Sequence, residues 1–352
     1  MKRELLKTLS IIAVGLLFCL PSMNLLAESP ENIQIVEIQK IWDRADHNAF
    51  TDLIRFKGQW YCTFREGMKH VSSDGALRVI VSSDGKNWDS AALITMDGVD
   101  LRDPKFSVTP QGQLLLAGGG AREISGGRTH QSYVWQSTDG KTWSDPTPIG
   151  DKDFWIWRLV WHKDAAYGFG YFKVSLDYHD REGCLRLYKS ENAKGFRTLV
   201  ADLDVPSYPT EASPLFLKDG TALCLLRRDG DDDTTAMIGT AQAPYTDWTW
   251  KSLGIRIGGP QLIQLPDGRL LVVGRKYVND VKTTHVWWLD PIEANVTEAI
   301  ELPSGGDTSY PGLIYENGLL WVSYYSTHEG KTAIYLAKLR FPLTGSTIGI
   351  SQ

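Results

Sequence analysis

The feature that most constrains the fold of this chain is a hairpin pattern that occurs six times. Each copy has an apolar run, a tight polar turn and a second apolar run, and the copies recur about every 50 residues. Glycine supplies the positive φ that short hairpin turns require. Five of the turns contain one, namely Gly58, Gly112, Gly220, Gly268 and Gly318. The third turn has Lys163-Asp164 instead. The pattern predicts an all-β fold made from one repeated antiparallel unit.

A third strand-like segment follows each hairpin, as at residues 76–81 and 131–136, and most copies have a more irregular fourth one. Four antiparallel strands at this period are typical of a propeller blade, so six copies predict a six-bladed β-propeller. The last copy ends after its third strand, whereas the alternating segment 33–42 has no partner of its own. We predict that this N-terminal strand completes blade six and closes the ring. Residues 28–352 would then form a single domain.

The first 27 residues have the composition of an export signal. Three basic residues precede an apolar stretch at 9–20, and Ala27 is a small residue before a plausible cleavage point. Pro21 interrupts the apolar stretch, so no membrane span is expected. Cys19 offers a lipoprotein alternative, although the large Phe18 precedes it. We therefore expect an exported protein, periplasmic or secreted.

The charge balance excludes one large class of partners. Lysine and arginine number 37 against 42 acidic residues, for a net charge of −5, whereas a nucleic-acid binder needs a basic excess. No glycine-rich phosphate loop is present, and we predict no cofactor. The acidic segment 229–233 could hold Ca²⁺, but a solvated loop is the simpler interpretation, so we also predict no metal.

Polar residues cluster where a propeller would bring them to one rim. In such a fold the start of each first strand and the end of each second strand lie on the same face, around a concave channel. Convergent charged and aromatic groups there are typical of a polar small-molecule or sugar site. The candidate substrate-binding residues from this pattern are Asp52, His47, Arg65, Glu66, Arg158 and Gln261.

Two turns share the motif Ser-x-Asp-Gly-Lys-x-Trp, at residues 82–88 and 137–143. Aspartate can accept backbone N–H bonds within such a turn, and glycine permits a positive φ. The motif resembles the Asp-boxes of the sialidase (neuraminidase) superfamily, which has BNR repeats, although it is one residue shorter between Asp and Gly. The resemblance extends over most of the chain after the export signal. It implies a carbohydrate ligand and a six-bladed propeller.

The resemblance also implies a catalytic set. Asp74 matches the acid/base aspartate, Glu211 matches the glutamate that opens blade four, and Tyr310 matches the nucleophile that opens blade six. Arg227 and Arg275 match the arginines that bind an anionic substituent. Glu211 would take the proton of Tyr310 as the tyrosine attacks the anomeric carbon, and Asp74 would protonate the leaving oxygen. The implied function is an exo-acting glycoside hydrolase that retains configuration.

The sequence departs from sialidases at the opening of blade one. Sialidases have an arginine there that binds the sialic acid carboxylate, whereas residues 48–53 here contain Asp52 and no arginine. A buried carboxylate facing a carboxylate ligand would repel it. A sugar other than sialic acid is therefore expected.

The sequence leaves two alternatives open. A non-catalytic glycan-binding propeller would also tolerate the missing arginine. The second alternative is a polysaccharide lyase or a glycosidase with a single catalytic histidine. The histidines available for that role are His47, His70, His130 and His328.

Overall fold

The computed structural model describes residues 33–173 and 183–341. Within these ranges the chain forms 24 β-strands and no helix. The strands make six four-stranded sheets, each antiparallel throughout. The six-bladed propeller predicted from the hairpin pattern is confirmed. The predicted export signal and Cys19 lie outside the described residues, and the described chain has no helix that is long and apolar enough to cross a membrane.

The blades follow one another in chain order. Blade one has β2 His47–Phe56, β3 Gln59–Gly67, β4 Ala76–Ser82 and β5 Asp89–Ile94. Blade two has β6 Asp100–Val108, β7 Leu114–Ile124, β8 Gly127–Ser137 and β9 Thr147–Ile149. Blade three has β10 Phe154–His162, β11 Ala165–Phe172, β12 Leu185–Ser190 and β13 Arg197–Val200. Blade four has β14 Pro209–Phe216, β15 Ala222–Arg228, β16 Met237–Ala241 and β17 Thr249–Ser252. Blade five has β18 Ile257–Gln264, β19 Leu270–Val278, β20 Val281–Asp290 and β21 Asn295–Leu302.

Blade six combines the two ends of the described chain. Its strands are β22 Thr308–Glu316, β23 Leu319–Ser326, β24 Ala333–Arg340 and the N-terminal β1 Gln34–Trp42. Strand β1 pairs antiparallel with β24, so that Ile38 lies opposite Ala337. The first strand of each blade contacts the first strands of both neighbours, and β22 contacts β2. The ring is therefore closed as predicted, so that only the outermost strand of each blade leaves an edge unpaired.

Every first strand is interrupted at the same level of the channel. The pairing with the second strand skips two residues in each blade, which is the signature of a β-bulge. The skipped pairs are 50–51, 103–104, 157–158, 210–211, 259–260 and 310–311. Proline occupies the second position in three of them, where the strand needs no ladder donor. A bulge re-aims side chains, and here it turns one ring of residues toward the channel.

The turns that carry the Ser-x-Asp-Gly motif share one hydrogen-bond pattern. The Asp84 carboxylate accepts the backbone N–H groups of Lys86 and Asn87, at 2.8 and 2.9 Å. Asp139 accepts the two equivalent N–H groups in blade two. In blade three, Asn192 takes the same place and accepts N–H bonds from Lys194 and Gly195. These side chains stabilise turns, and they are not part of the lining of the channel cavity described below.

Adjacent blades approach most closely where β22 passes β2. A Cβ atom added at Gly312 would lie 2.1 Å from the backbone nitrogen of Leu53 and 2.6 Å from the carbonyl carbon of Asp52. Backbone atoms of two inner strands cannot separate without opening the ring. Glycine is therefore required here for close approach.

We expect Gly312→Ala to lower the free energy of unfolding by at least about 2–3 kcal/mol, because overpacking against backbone cannot be relieved by a rotamer change. Gly195→Ala is the matched control, since a Cβ there meets only the Asn192 side chain at 3.8 Å. Urea unfolding of both variants measures the difference. Equal stability of the two variants would contradict the close contact.

Candidate active site

A cavity of about 340 Å³, the channel cavity, lies among the inner strands of the ring. Its lining comes from blades one to four and six, which places it where the bulged strands converge. The titratable side chains of the lining are those of His70, Arg102, Arg128, His130, Tyr171, Lys173, Tyr208, Glu211, Arg227, Asp229 and Tyr310. Of the sequence-predicted site residues, Glu211, Arg227 and Tyr310 thus share one cavity.

Glu211 and Tyr310 meet directly across the cavity. The Tyr310 hydroxyl donates a short hydrogen bond to Glu211 Oε1, and Arg227 donates to the same oxygen at 2.8 Å. Arg227 Nη1 also lies 3.1 Å from the Tyr310 oxygen. The other oxygen, Glu211 Oε2, accepts the Gly259 backbone N–H at 2.6 Å. The carboxylate is thus fixed on both sides, with one oxygen directed at the phenol.

Burial and neighbouring positive charges have opposite effects on the pKa of the Tyr310 phenol. Burial raises the pKa of Tyr310 well above its usual range, and the Glu211 charge adds to this, while Arg227 and Arg275 act in the opposite direction. The Arg275 guanidinium lies 5.2 Å from the centre of the Tyr310 ring. The phenol is therefore neutral at physiological pH, and a phenolate formed transiently would find two cations in place.

The backbone at this point is strained. Ser309 has a φ of 90° and Tyr310 a φ of 51°, both in the left-handed region that bulky residues avoid. Strain of this kind persists where the surroundings determine it and is concentrated at functional sites. Tyr310 itself is 7 % exposed, and its carbonyl accepts a hydrogen bond from Thr51 at 2.8 Å.

Arg275 does not line the cavity. Its guanidinium is buried and donates to the Thr308 carbonyl, at 2.9 and 2.7 Å, and to the Tyr325 hydroxyl at 2.9 Å. It also lies 3.3 Å from Asp307. The N–H groups of Arg275 are thus bonded to protein acceptors. Its positive charge lowers the pKa of Tyr310. The sequence predicted a direct contact between Arg275 and the substrate instead.

Three predicted substrate-binding residues contact one another instead of the cavity. Arg158 forms a bidentate pair with Asp52, at 3.1 and 3.0 Å, and donates to Gln261 at 3.0 Å. Asp52 also accepts the Phe106 backbone N–H at 2.7 Å. The negative charge of Asp52 is thus neutralised within the channel wall. The predicted repulsion of an anionic ligand assumed an unpaired Asp52, whereas this carboxylate is paired with Arg158.

Two further predicted substrate-binding residues are held in the wall of blade one. The Arg65 guanidinium is fully buried against Asp100, at 3.0 and 2.9 Å, and donates to the Lys69 carbonyl. Glu66 accepts hydrogen bonds from Trp42 at 2.7 Å and from Arg78 at 2.8 Å. Neither residue lines the channel cavity.

The predicted acid/base residue Asp74 also lies elsewhere. It lines a separate shallow depression with Glu66 and accepts the Met68 backbone N–H at 3.0 Å. Burial raises the pKa of Asp74, but hydrogen bonds from Ser72 and from backbone N–H groups outweigh it and hold the pKa below its usual value. Asp74 is thus stabilised in its charged form, and it is not among the residues that line the cavity of Tyr310.

Asp103 is a buried carboxyl group that the sequence-based set of site residues does not include. It occupies the bulge of β6 with a φ of 52°, is 7 % exposed, and has no hydrogen-bond or ion-pair partner within the described residues. Burial raises the pKa of Asp103, and the charges of Lys173 and Lys105 oppose that rise. Its charge also affects the pKa of Tyr310. One sequence feature could have indicated Asp103. It precedes a proline within a first strand, as Tyr310 does at the equivalent position of blade six.

Blades two and three contribute basic side chains to the cavity lining. Lys173 Nζ lies 4.0 Å from the centre of a Trp155 ring and has no ion pair within the described residues. Burial lowers the pKa of Lys173 to about 8. Arg102, by contrast, is paired with Asp100. Burial and the Lys173 charge lower the pKa of His130 to about 4, so this histidine is neutral at pH 7.

A third group of polar residues joins blades one and six beside the cavity. Asp307 Oδ2 lies 3.0 Å from His47 Nε2 and 2.6 Å from His70 Nδ1. Asp307 Oδ1 accepts from the Tyr325 hydroxyl at 2.8 Å. Of this group only His70 lines the cavity. The predicted substrate-binding residue His47 is buried behind it.

Comparison with protein-family profiles found no match, and comparison with curated proteins found none either. Solved structures do share the fold. A protein of unknown function from Dyadobacter fermentans DSM 18053 is 21 % identical, with a TM-score of 0.77, over 88 % of this chain and 100 % of that chain. An α-L-arabinofuranosidase from Fusarium graminearum, solved as a mutant in complex with an iminosugar inhibitor, is 12 % identical, with a TM-score of 0.68, over 87 % and 98 %. A Trypanosoma rangeli sialidase is 11 % identical, with a TM-score of 0.62, over 84 % of this chain and 55 % of its own.

These structures establish a shared architecture at identities too low to transfer an activity. Glycosidases with two different sugar specificities, the arabinofuranosidase and the sialidase, have this propeller fold. The predicted resemblance to the sialidase fold is confirmed at the level of the six-bladed ring.

We expect Lys173→Met to stabilise the protein by about 1–2 kcal/mol at pH 7, because methionine removes a buried ammonium group. The gain is smaller than the full pKa shift implies, since the lysine side chain reaches solvent in the cavity. The unfolded lysine titrates near pH 10.4 and the folded one near 8, so the folded state binds fewer protons between these values. The cost of burying the ammonium is fully present below pH 8 and falls as the pH rises above it. The gain from the substitution should therefore shrink by pH 10.

Thermal unfolding at pH 7 and pH 10 measures this gain. The exposed Lys282→Met serves as the control and should change the unfolding midpoint little at either pH. A Lys173→Met variant that is less stable than wild type at pH 7 would show that the ammonium has a compensating partner.

Proposed function

We propose that this protein is an exo-acting glycoside hydrolase that removes a terminal sugar with retention of configuration. The observation that carries the proposal is the hydrogen bond from Tyr310 to Glu211 inside the channel cavity, with Arg227 bound to both. A phenol with an adjacent base is the arrangement that activates a weak nucleophile. The cavity volume of about 340 Å³ is near the lower end for ligand sites, which suits a terminal sugar better than a long chain.

In the first step, the Tyr310 oxygen attacks the anomeric carbon and passes its proton to Glu211. The bond from that carbon to the leaving oxygen breaks, and a carboxylic acid protonates the leaving oxygen. In the second step, the same acid, now a carboxylate, removes a proton from water, which attacks the anomeric carbon. Tyr310 leaves and recovers its proton from Glu211. Two inversions at one carbon give net retention.

We assign the acid/base role to Asp103 in preference to Asp74. A proton donor must hold its proton at the working pH, and burial raises the pKa of Asp103 whereas hydrogen bonds lower that of Asp74. Asp103 also has its carboxyl free of protein partners within the described residues, while Asp74 accepts a backbone N–H. Lys173, which forms no ion pair within the described residues, would bind an acceptor oxygen of the sugar beside it.

Cleavage of a panel of aryl glycosides, including an α-L-arabinofuranoside and a sialoside, tests the proposal. We expect Tyr310→Phe and Glu211→Gln to lower kcat at least about 10²-fold, because each removes one member of the nucleophile–base pair. Asp219→Asn, in an exposed hairpin turn, is the control and should leave kcat unchanged. Binding of a glycan with no turnover would contradict the proposal in favour of a glycan-binding propeller.

A second comparison separates the two acid candidates. We expect Asp103→Asn to reduce cleavage strongly when the leaving group is a poor one and weakly when it is a nitrophenol, which leaves without protonation. Asp74→Asn should show no such dependence on the leaving group. The reverse pattern would return the acid/base role to Asp74. An unsaturated product would instead identify a lyase.

We further propose that residues 1–27 are removed on export and that the protein acts in the periplasm or outside the cell. The support is the basic, then apolar, then small-residue order of this segment. N-terminal sequencing of the protein recovered from its native host tests the proposal. A mature protein that begins at Cys19 with an attached lipid would favour the lipoprotein alternative.

A further inference from the structure

The histidine–aspartate group beside the cavity offers a donor set that the proposed hydrolysis does not use. His47 Nε2, His70 Nδ1 and Asp307 Oδ2 all lie within 4.8 Å of one another. The two shortest separations are 3.0 Å and 2.6 Å, both to the same carboxylate oxygen. The His47 and His70 ring centres are 5.4 Å apart and the rings are nearly perpendicular. Three donor atoms therefore converge on one point.

The second oxygen of the carboxylate is held by other groups, which orients the first. Asp307 Oδ1 accepts from Tyr325 at 2.8 Å and lies 3.3 Å from Arg275. The Asp307 backbone N–H donates to Thr327 at 2.9 Å. Such outer contacts are what fix a ligating carboxylate in a metal site. Oδ2 is left facing the two imidazoles.

The chemistry of the donors selects among metal ions. Two imidazole nitrogens and one carboxylate oxygen suit Zn²⁺ and similar transition metals, whereas Ca²⁺ and Mg²⁺ prefer oxygen ligands alone. Three protein ligands with a fourth open position form a common zinc arrangement. His70 is half exposed and lines the cavity, so water can reach the group from that side.

Zinc coordination requires small changes in the present contacts. Ligand atoms about 2.0–2.2 Å from a tetrahedral zinc lie further apart than 2.6 Å, so His70 must move outward by a fraction of an ångström. Its exposed position permits this. Each imidazole must also offer a lone pair where it now donates or shares a proton, and each has a second nitrogen that can carry the proton. His47 Nδ1 is buried with no hydrogen-bond partner in the described chain.

We propose that His47, His70 and Asp307 bind one Zn²⁺ ion, which links blade one to blade six and presents an open coordination position at the edge of the cavity. The ligands come from the start of β2, from the segment between β3 and β4, and from the residue before β22. The proposal is independent of the Tyr310–Glu211 chemistry. It revises the sequence-based expectation of no metal.

The test is zinc binding to the chelator-treated protein, measured by calorimetry and by competition with a chromogenic chelator. We expect wild type to bind one Zn²⁺ per chain and not to bind Ca²⁺. His70→Ala, whose side chain is half exposed, should weaken zinc binding by more than the 10–100-fold that loss of an outer-shell partner costs. Asp307→Asn should do the same. His328→Ala is the matched control, because His328 lies on blade six outside this group.

Cobalt substitution supplies a readout independent of affinity. Co²⁺-loaded wild type should show the visible absorption of a tetrahedral site, and His70→Ala should lose it. Absence of zinc binding in wild type would overturn the proposal. Equal binding by wild type and His70→Ala would overturn it as well, since the ion would then lie elsewhere. The thermal unfolding midpoint of wild type should rise with zinc, because the ion binds the folded ring only.

Discussion

The chemistry of this protein depends on a break in strand pairing that recurs in all six first strands. A regular strand alternates its side chains between the two faces of the sheet, so those of a first strand would face the two neighbouring blades in turn. The bulge adds a residue at one level of the ring and re-aims the side chains there. Asp103, Glu211 and Tyr310 all occupy this level. The irregularity thus brings titratable side chains from three blades to one level of the channel.

Burying charged side chains near the channel axis costs desolvation free energy, and ion pairs between neighbouring side chains offset most of that cost. Asp52 is neutralised by Arg158, and Asp100 by Arg65 and Arg102, so these pairs stabilise the wall of the channel. Three buried groups do not follow this pattern. Asp103, Lys105 and Lys173 have no ion pair within the described residues, and burial shifts the pKa of each toward its neutral form. Lys105 donates instead to the Thr51 carbonyl at 2.8 Å. Of these groups Lys173 lines the cavity, and a ligand contact is the simplest explanation for its unpaired charge.

The junction of blades one and six has a special position in this architecture. The two blades meet where β22 contacts β2, and blade six is itself completed by β1. Tyr310 and the His47–His70–Asp307 group lie at this junction. Arg275 of blade five reaches the Tyr310 ring from the other side of blade six. Ring closure therefore determines both stability and the geometry around Tyr310. A ring that opened here would separate the phenol from Thr51, which donates a hydrogen bond to the Tyr310 carbonyl.

The sequence by itself determined the architecture, because hairpin periodicity and turn glycines are local properties that need no knowledge of distant contacts. It also indicated Glu211, Arg227 and Tyr310 as neighbours through the resemblance to sialidases. Tertiary structure alone decided that Asp52 pairs with Arg158, that Asp74 lies in another depression, and that Asp103 has no partner among the described residues. Arg158 is 106 residues from Asp52, and Asp307 is 260 residues from His47. Such pairs meet only when the ring closes, because charge compensation and convergence of ligands depend on distances between blades that no local pattern encodes.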